Sequence, residues 1–393
     1  MAKVQCEPDP NPGTDRNKGE KLQPHRKIIA AVLAATVLVT TLQQGIRIAN
    51  TYSKIDADFT GGGLAYHSTI YGNGGTVIID DSIETISPIE KDDPVIAQVL
   101  GELAPDQAKI AEADDGTRVE YYILNKHISP ENGVVVFTMG WGGNVQTETA
   151  QQELIYLIAN LPGPKQVIVI NSVNTIPTKE AAAEMMSEGS FLAFGTSVDA
   201  AMAELLEEYP SSEIEQWGHS EGARRAIAQA LAYYLRTGEQ IETIKVLDPV
   251  GSHEQSIGSL ALRFLEEGVY STKYDNSSYD LSISVAQTND DLNRDGWGYL
   301  WFNAPNTMKK NGVMIDLGEA IAVGAAKKVI IVSPELSALT RPNDVDEMLS
   351  EIDIPNNTIV YHIILRNHTH GSVGSGEVVR VEVSLYDSEG MRK

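Results

Sequence analysis

The sequence predicts an α/β fold in which helices cover both faces of a mostly parallel central sheet. Three observations predict it. Strand-like and helix-like runs alternate regularly from residue 133 to residue 251, as crossovers between parallel strands require. Two of the runs, 133–138 and 166–170, are almost unbroken Val, Ile and Phe, the composition of strands covered on both faces. Between a third strand-like run (213–216) and an Ala-rich helix (223–236) stands Trp217-Gly218-His219-Ser220-Glu221-Gly222. Glycines two positions either side of a serine relieve the crowding of a very sharp strand-to-helix turn.

Taken in order, residues 1–27 scatter Pro8, Pro10, Pro12 and Gly13 among charges and read as a disordered tail. Residues 28–46 are uncharged and strongly apolar, and follow His25, Arg26 and Lys27. Gln43, Gln44 and Arg47 stand where a small-residue cleavage site would lie. The expectation is an uncleaved single-pass membrane anchor, tail in the cytoplasm and bulk outside, with a cleaved secretory signal as the alternative. The single cysteine, Cys6, precedes this run, so the rest of the chain forms no internal disulfide.

Residues 47–106 read as an N-terminal extension, with a Gly-rich patch, a strand at 76–79 and a helix at 94–103. The α/β core is expected over 107–250 and 325–393. It opens with short strands at 107–113 and 118–124 joined by the hairpin signal Asp114-Asp115-Gly116. Helices follow at 148–161 and 198–208, with a helix or loop at 178–194, and a strand at 243–247 closes the regular alternation. That alternation fails over 251–324, where Tyr270, Tyr274, Tyr279, Trp297, Tyr299, Trp301 and Phe302 gather, as in a cap or lid inserted into the sheet. Within it Asp291-Leu-Asn293-Arg-Asp295-Gly296 matches the first half of a calcium loop, but position twelve is Phe302 and the bidentate carboxylate is missing. A strand at 328–332, a helix at 344–352 and a strand at 358–365 resume the core, and 377–386 alternates like a further strand.

The turn at Gly218–Gly222, with strand before and helix after, resembles the nucleophile elbow of the α/β-hydrolase superfamily, its serine esterases and lipases in particular. The resemblance implies a catalytic Ser220 followed along the chain by an acid and then a histidine. His370, five residues past Leu365, has the offset of the base; His368 is the alternative, and His362 lies inside the strand as a packed residue. For the acid, Ser337 occupies the place where most members carry Asp, and a serine cannot serve. Asp248, ending the preceding strand, lies 28 residues after Ser220 (248 − 220), close to the separation in the pancreatic-lipase branch. Glu335 is the alternative acid. The oxyanion donors carried over by position are the backbone N–H groups of Trp141 (or Gly142) and Glu221. The strand-like C-terminus departs from the helix usual in this superfamily.

The resemblance implies hydrolysis of carboxylic or thio esters through an acyl-enzyme, with a small or lipid-like ester substrate and no cofactor or metal. Seven of the 30 basic and four of the 54 acidic residues lie in 1–47, leaving 23 against 50 beyond it. Such a balance excludes nucleic acid and anionic lipid as partners of the body of the chain. Two other readings stay open: an inactive member of the superfamily that binds a partner, and a surface adhesion protein with a calcium-dependent lid.

Overall fold

The structure is a computed structural model that describes residues 43–54, 64–72, 75–83, 89, 92–141, 143–271 and 304–370. The chain divides into two compact units, 1–50 and 51–393. In the first, residues 43–50 are helical. Among the described residues no helix is long and apolar enough to cross a membrane. The anchor expected at 28–46 falls largely outside them, as do the calcium-loop resemblance at 291–302, most of the lid aromatics and the strand expected at 377–386.

In the second unit ten described strands form one sheet in the order β2-β1-β10-β9-β8-β7-β5-β6-β4-β3. Six of them run parallel in its centre: β6 (Gln166–Ile170), β5 (Val134–Thr138), β7 (Ile214–His219), β8 (Ile241–Leu247), β9 (Ala326–Pro334) and β10 (Ile359–Leu365). Every residue of β5 and β6 is buried, as continuous apolar runs require. An antiparallel pair closes each edge. On one side β4 (Arg118–Leu124) pairs with β6, and β3 (Lys109–Glu112) with β4. On the other, β1 (Leu64–Gly72) pairs with β10 and with β2 (Gly75–Ile83). Residues 64–72 and 75–83, within the span read from sequence as an extension, therefore lengthen the main sheet, and the strand expected at 76–79 lies within β2, antiparallel to β1.

Helices α1 (Pro94–Glu102) and α2 (Glu148–Ala159) pack together. Asp93 and Thr147 cap them, accepting from Val95 N and Ala150 N. On the opposite face α4 (Leu192–Leu206), α5 (Glu221–Thr237) and α8 (Gly312–Ala322) enclose one apolar cluster with alternate residues of the parallel strands, such as Val134, Val136, Ile244, Val246, Val329 and Ile331. Between α2 and α4 lies α3 (Lys179–Glu188), ended by Gly189 at φ +84°. α4 starts at Leu192, earlier than the expected 198, because Phe191 and Phe194 are buried under the guanidinium groups of Arg224 and Arg225 (4.2 and 5.1 Å to the ring centroids). α6 (Ile257–Ser271) and α7 (Ala304–Met308) lie in the span read as a lid, and α9 (Pro342–Glu351) starts with proline at its first position.

Candidate active site

The site forms where β5, β7, β8 and β10 end at one edge of the sheet. β7 stops at His219 and α5 starts at Glu221, so a single residue turns the chain. Ser220 does so with φ 58° and ψ −122°, a conformation that costs a non-glycine residue about 1–3 kcal/mol. The flanking glycines permit it. A Cβ on Gly218 would lie 2.4 Å from the Gly222 carbonyl, and one on Gly222 would lie 2.3 Å from the carbonyls of Thr138 and Met139. The second contact explains why the loop after β5 can press against the turn. Gly140, in that loop, lies so close to Ser220 that a Cβ there would be 3.2 Å from the serine Cβ and 3.8 Å from its Oγ.

The neighbouring strand presents the first candidate acid. Ser220 N donates to Leu247 O (2.8 Å), and the next residue is Asp248, fully buried at φ 43° with its N–H donated to Val332 O (2.8 Å). Of the two imidazoles left open, His370 reaches it, with Nδ1 2.5 Å from Asp248 Oδ2. His368 is buried with its ring nitrogen 2.6 Å from Arg366 O, and its own carbonyl accepts from Leu336 N, so it braces the loop. Of the two acids, Glu335 is turned to the backbone N–H of Asn367 (3.0 Å). His362 is packed inside β10 as expected.

Ser337 has a part that its sequence position did not reveal. Its hydroxyl donates to Asp248 Oδ2 (2.7 Å), the oxygen that holds His370, and accepts from the N–H groups of Leu339 and Thr340 (3.2 Å each). Among the described residues Asp248 Oδ1 has no hydrogen-bond partner. His219 is a second surprise. Its ring lies 5.3 Å from that of His370, and its Nδ1 is 3.6 Å from Glu153 Oε1. Burial, helped by the charge of His370 and opposed by Asp248, pushes His219 down to about 3. His370 moves the other way: burial disfavours its charged form, but the charge of Asp248 and the hydrogen bond to it outweigh that, with Glu267 adding, and the ring sits above the ordinary histidine value.

The oxyanion candidates lie on either side of the turn, Glu221 as the first residue of α5 and Trp141 in the loop after β5, its ring 5.4 Å from that of Phe264 on α6. Gly142 falls outside the described residues. Ser172 Oγ ties this loop down by donating to Met139 O (2.5 Å). Among the described residues no group of three or more His, Cys, Asp or Glu is placed to hold a metal ion.

Ser220 at φ +58° turns the chain between β7 and α5, and the Asp248–His370 pair follows the ends of β8 and β10 in the same sheet. The fold is that of the α/β-hydrolases. No family model and no curated protein sequence matches the chain. Solved structures similar in fold include an esterase of Pyrobaculum calidifontis (13% identity, 75% of this chain and 88% of that one, TM-score 0.45). The carboxylesterase CesB of Bacillus subtilis is another (14%, 76% and 97%, TM-score 0.44). A third is DcsB, solved with a substrate analogue (13%, 72% and 97%, TM-score 0.44).

Proposed function

We propose that the chain is a serine hydrolase that cleaves carboxylic or thio ester bonds through an acyl-enzyme. The observation that carries the reading is the 2.5 Å hydrogen bond from His370 Nδ1 to Asp248, made beside the turn that displays Ser220. A serine hydroxyl is a poor nucleophile near neutral pH and needs a base, whose tautomer a carboxylate must fix. With Nδ1–H donated to Asp248, the lone pair of His370 lies on Nε2. Ser220 Oγ attacks the ester carbonyl and its proton passes to Nε2, while the N–H groups of Trp141 and Glu221 receive the oxyanion. The C–O (or C–S) bond to the leaving group breaks, and Nε2 returns the proton to it. Water then attacks the acyl-serine with Nε2 as base, releasing the acid and restoring Ser220. The substrate is a small or lipid-like ester. An uncleaved anchor at 28–46 would place the reaction at a membrane surface outside the cytoplasm.

The test is turnover of a chain-length series of p-nitrophenyl esters, together with labelling by a fluorophosphonate, which reacts only with an activated serine. Ser220→Ala should lose label and lower kcat/KM roughly ten-thousand-fold or more with its circular dichroism unchanged. Full turnover in that variant would refute the mechanism.

A further inference from the structure

Helix α6 keeps two carboxylates on its inner side and much of its apolar surface outside. Ile257, Leu262, Leu265 and Val269 are exposed, Leu265 by 68%, while Glu266 and Glu267 are buried at 1% and 6%. A helix that only covered a core would turn its charges outward. Burying a carboxylate is costly unless donors or charges meet it, so the inner acids point to partners.

Glu267 meets the loop between β9 and α9. Its Oε1 accepts from Ala338 N (2.5 Å), and Arg263, one turn earlier on α6, donates Nη1–H to Ala338 O (2.7 Å). Residues four apart share a helix face, so the two side chains hold both polar backbone groups of one residue. The residue before it is Ser337, which donates to Asp248 Oδ2 (2.7 Å) and accepts from Leu339 N and Thr340 N. Thr340 Oγ1 in turn donates to Pro249 O (3.0 Å). The stretch 337–340 is thus fastened to the acid on one side and to α6 on the other. Phe264, between Arg263 and Glu267, packs its ring 5.4 Å from that of Trp141. One helix therefore reaches both the candidate oxyanion loop and the partner of the acid.

We infer that Glu267 is a positioning residue for the Asp248–His370 pair: with Arg263 it holds Ala338, and through Ser337 it fixes the carboxylate that orients the imidazole. The inference rests on the hydrolase reading, in which His370 is the base. The charge of Glu267 acts in the same direction as its position. Asp248 from the end of β8 and Glu267 from α6 both push the His370 ring up, while His219 from β7, held down to about 3, is uncharged near neutral pH.

The first experiment follows the His370 ring by NMR in the full chain labelled with ring-15N histidine, its signal identified by its loss in His370→Asn. Glu267→Gln keeps an acceptor for Ala338 N but removes the charge. It should lower the titration midpoint of His370 by about 0.3 pH unit or more, whereas Leu265→Ala, on the outer face, should leave it in place. Turnover of a p-nitrophenyl ester, measured at a pH above the rising limb, tests the path through Ser337. Glu267→Ala, or Arg263→Gln if that variant fails to fold, should lower kcat/KM about tenfold in the parent chain but less than roughly threefold in a Ser337→Ala background. An unmoved midpoint in Glu267→Gln, an equal shift in Leu265→Ala, or a loss as large without Ser337 as with it would each overturn the assignment. The NMR arm needs no turnover. A parent chain that cleaves no ester would therefore count against the hydrolase reading, and the His370 midpoint would still decide the part played by Glu267.

Discussion

Asp248 concentrates its hydrogen bonding on one oxygen. Oδ2 holds His370 at 2.5 Å and Ser337 at 2.7 Å, and Ser337 is itself oriented by two backbone donors. A hydrogen bond to a charged group contributes about 1.5–3 kcal/mol. Ser337→Ala should therefore lower kcat/KM about tenfold. It should also move the alkaline-rising limb of the pH–rate profile further up, because an unshared carboxylate favours the charged form of His370 more strongly. A sharper test moves the acid. Asp248→Asn should cost on the order of ten-thousand-fold, and adding Ser337→Asp to it should restore at least a hundredfold, since the two side chains meet at one point. A double variant no better than Asp248→Asn would show that position 337 cannot serve His370. Much of this site was legible at residue scale, because the offsets of Ser220, Asp248 and His370 from their strands are local properties of the chain. Ser337 was legible only as a missing aspartate, since what it touches lies on another strand.

At the scale of elements, the molecule holds a second chain of Ser, His and Asp that must be told apart from the first. His362 on β10 lies with Nε2 3.0 Å from Ser333 Oγ on β9 and Nδ1 2.7 Å from Asp346 Oδ1 on α9, and Tyr71 on β1 donates to the same Asp346 oxygen (2.9 Å). Ser333 and His362 are both fully buried, so neither can meet a substrate. The cluster fastens the edge hairpin and α9 to the parallel strands. His362→Ala removes a buried ring and strands two partners, so it should lower stability by about 2–4 kcal/mol in urea unfolding. Fluorophosphonate labelling of the folded fraction should persist; its loss would mean that the cluster reaches the reacting serine. The same elements mark where the sequence could be read. β5 and β6 announce themselves because both their faces are covered and the code is a plain apolar run. β1 does not: it buries Tyr66, Ser68 and Thr69 through pairing with β10, and nothing local to residues 64–72 signals a partner at the other end of the chain.

For the whole molecule, the acidic excess visible in the sequence describes surface charge, but part of the pH sensitivity belongs to a few largely buried rings that the sequence could not single out, beside shifted carboxylates such as Asp199 and Asp346. His219 is held down to about 3 by burial and the charge of His370. His253 is held at about 4 by burial and the charges of Arg341 and Arg263. Both start from an ordinary value of 6.5. Between the folded and ordinary values the unfolded chain binds protons that the folded chain refuses, so stability rises with pH there. This contribution is complete above 6.5 and is lost as pH falls toward 4 and then 3. His370, raised by Asp248, has the opposite sign: its contribution is complete at low pH and fades as pH rises through its folded value, so it offsets part of the acid loss. The urea midpoint should thus fall between pH 7 and pH 4, and His219→Asn, whose side chain does not titrate, should flatten that slope. Midpoints measured by tryptophan fluorescence across this range decide the matter. A slope in His219→Asn as steep as that of the parent chain would show that this imidazole is protonated in the folded state, and with it would go the account of a neutral, largely buried ring packed against His370.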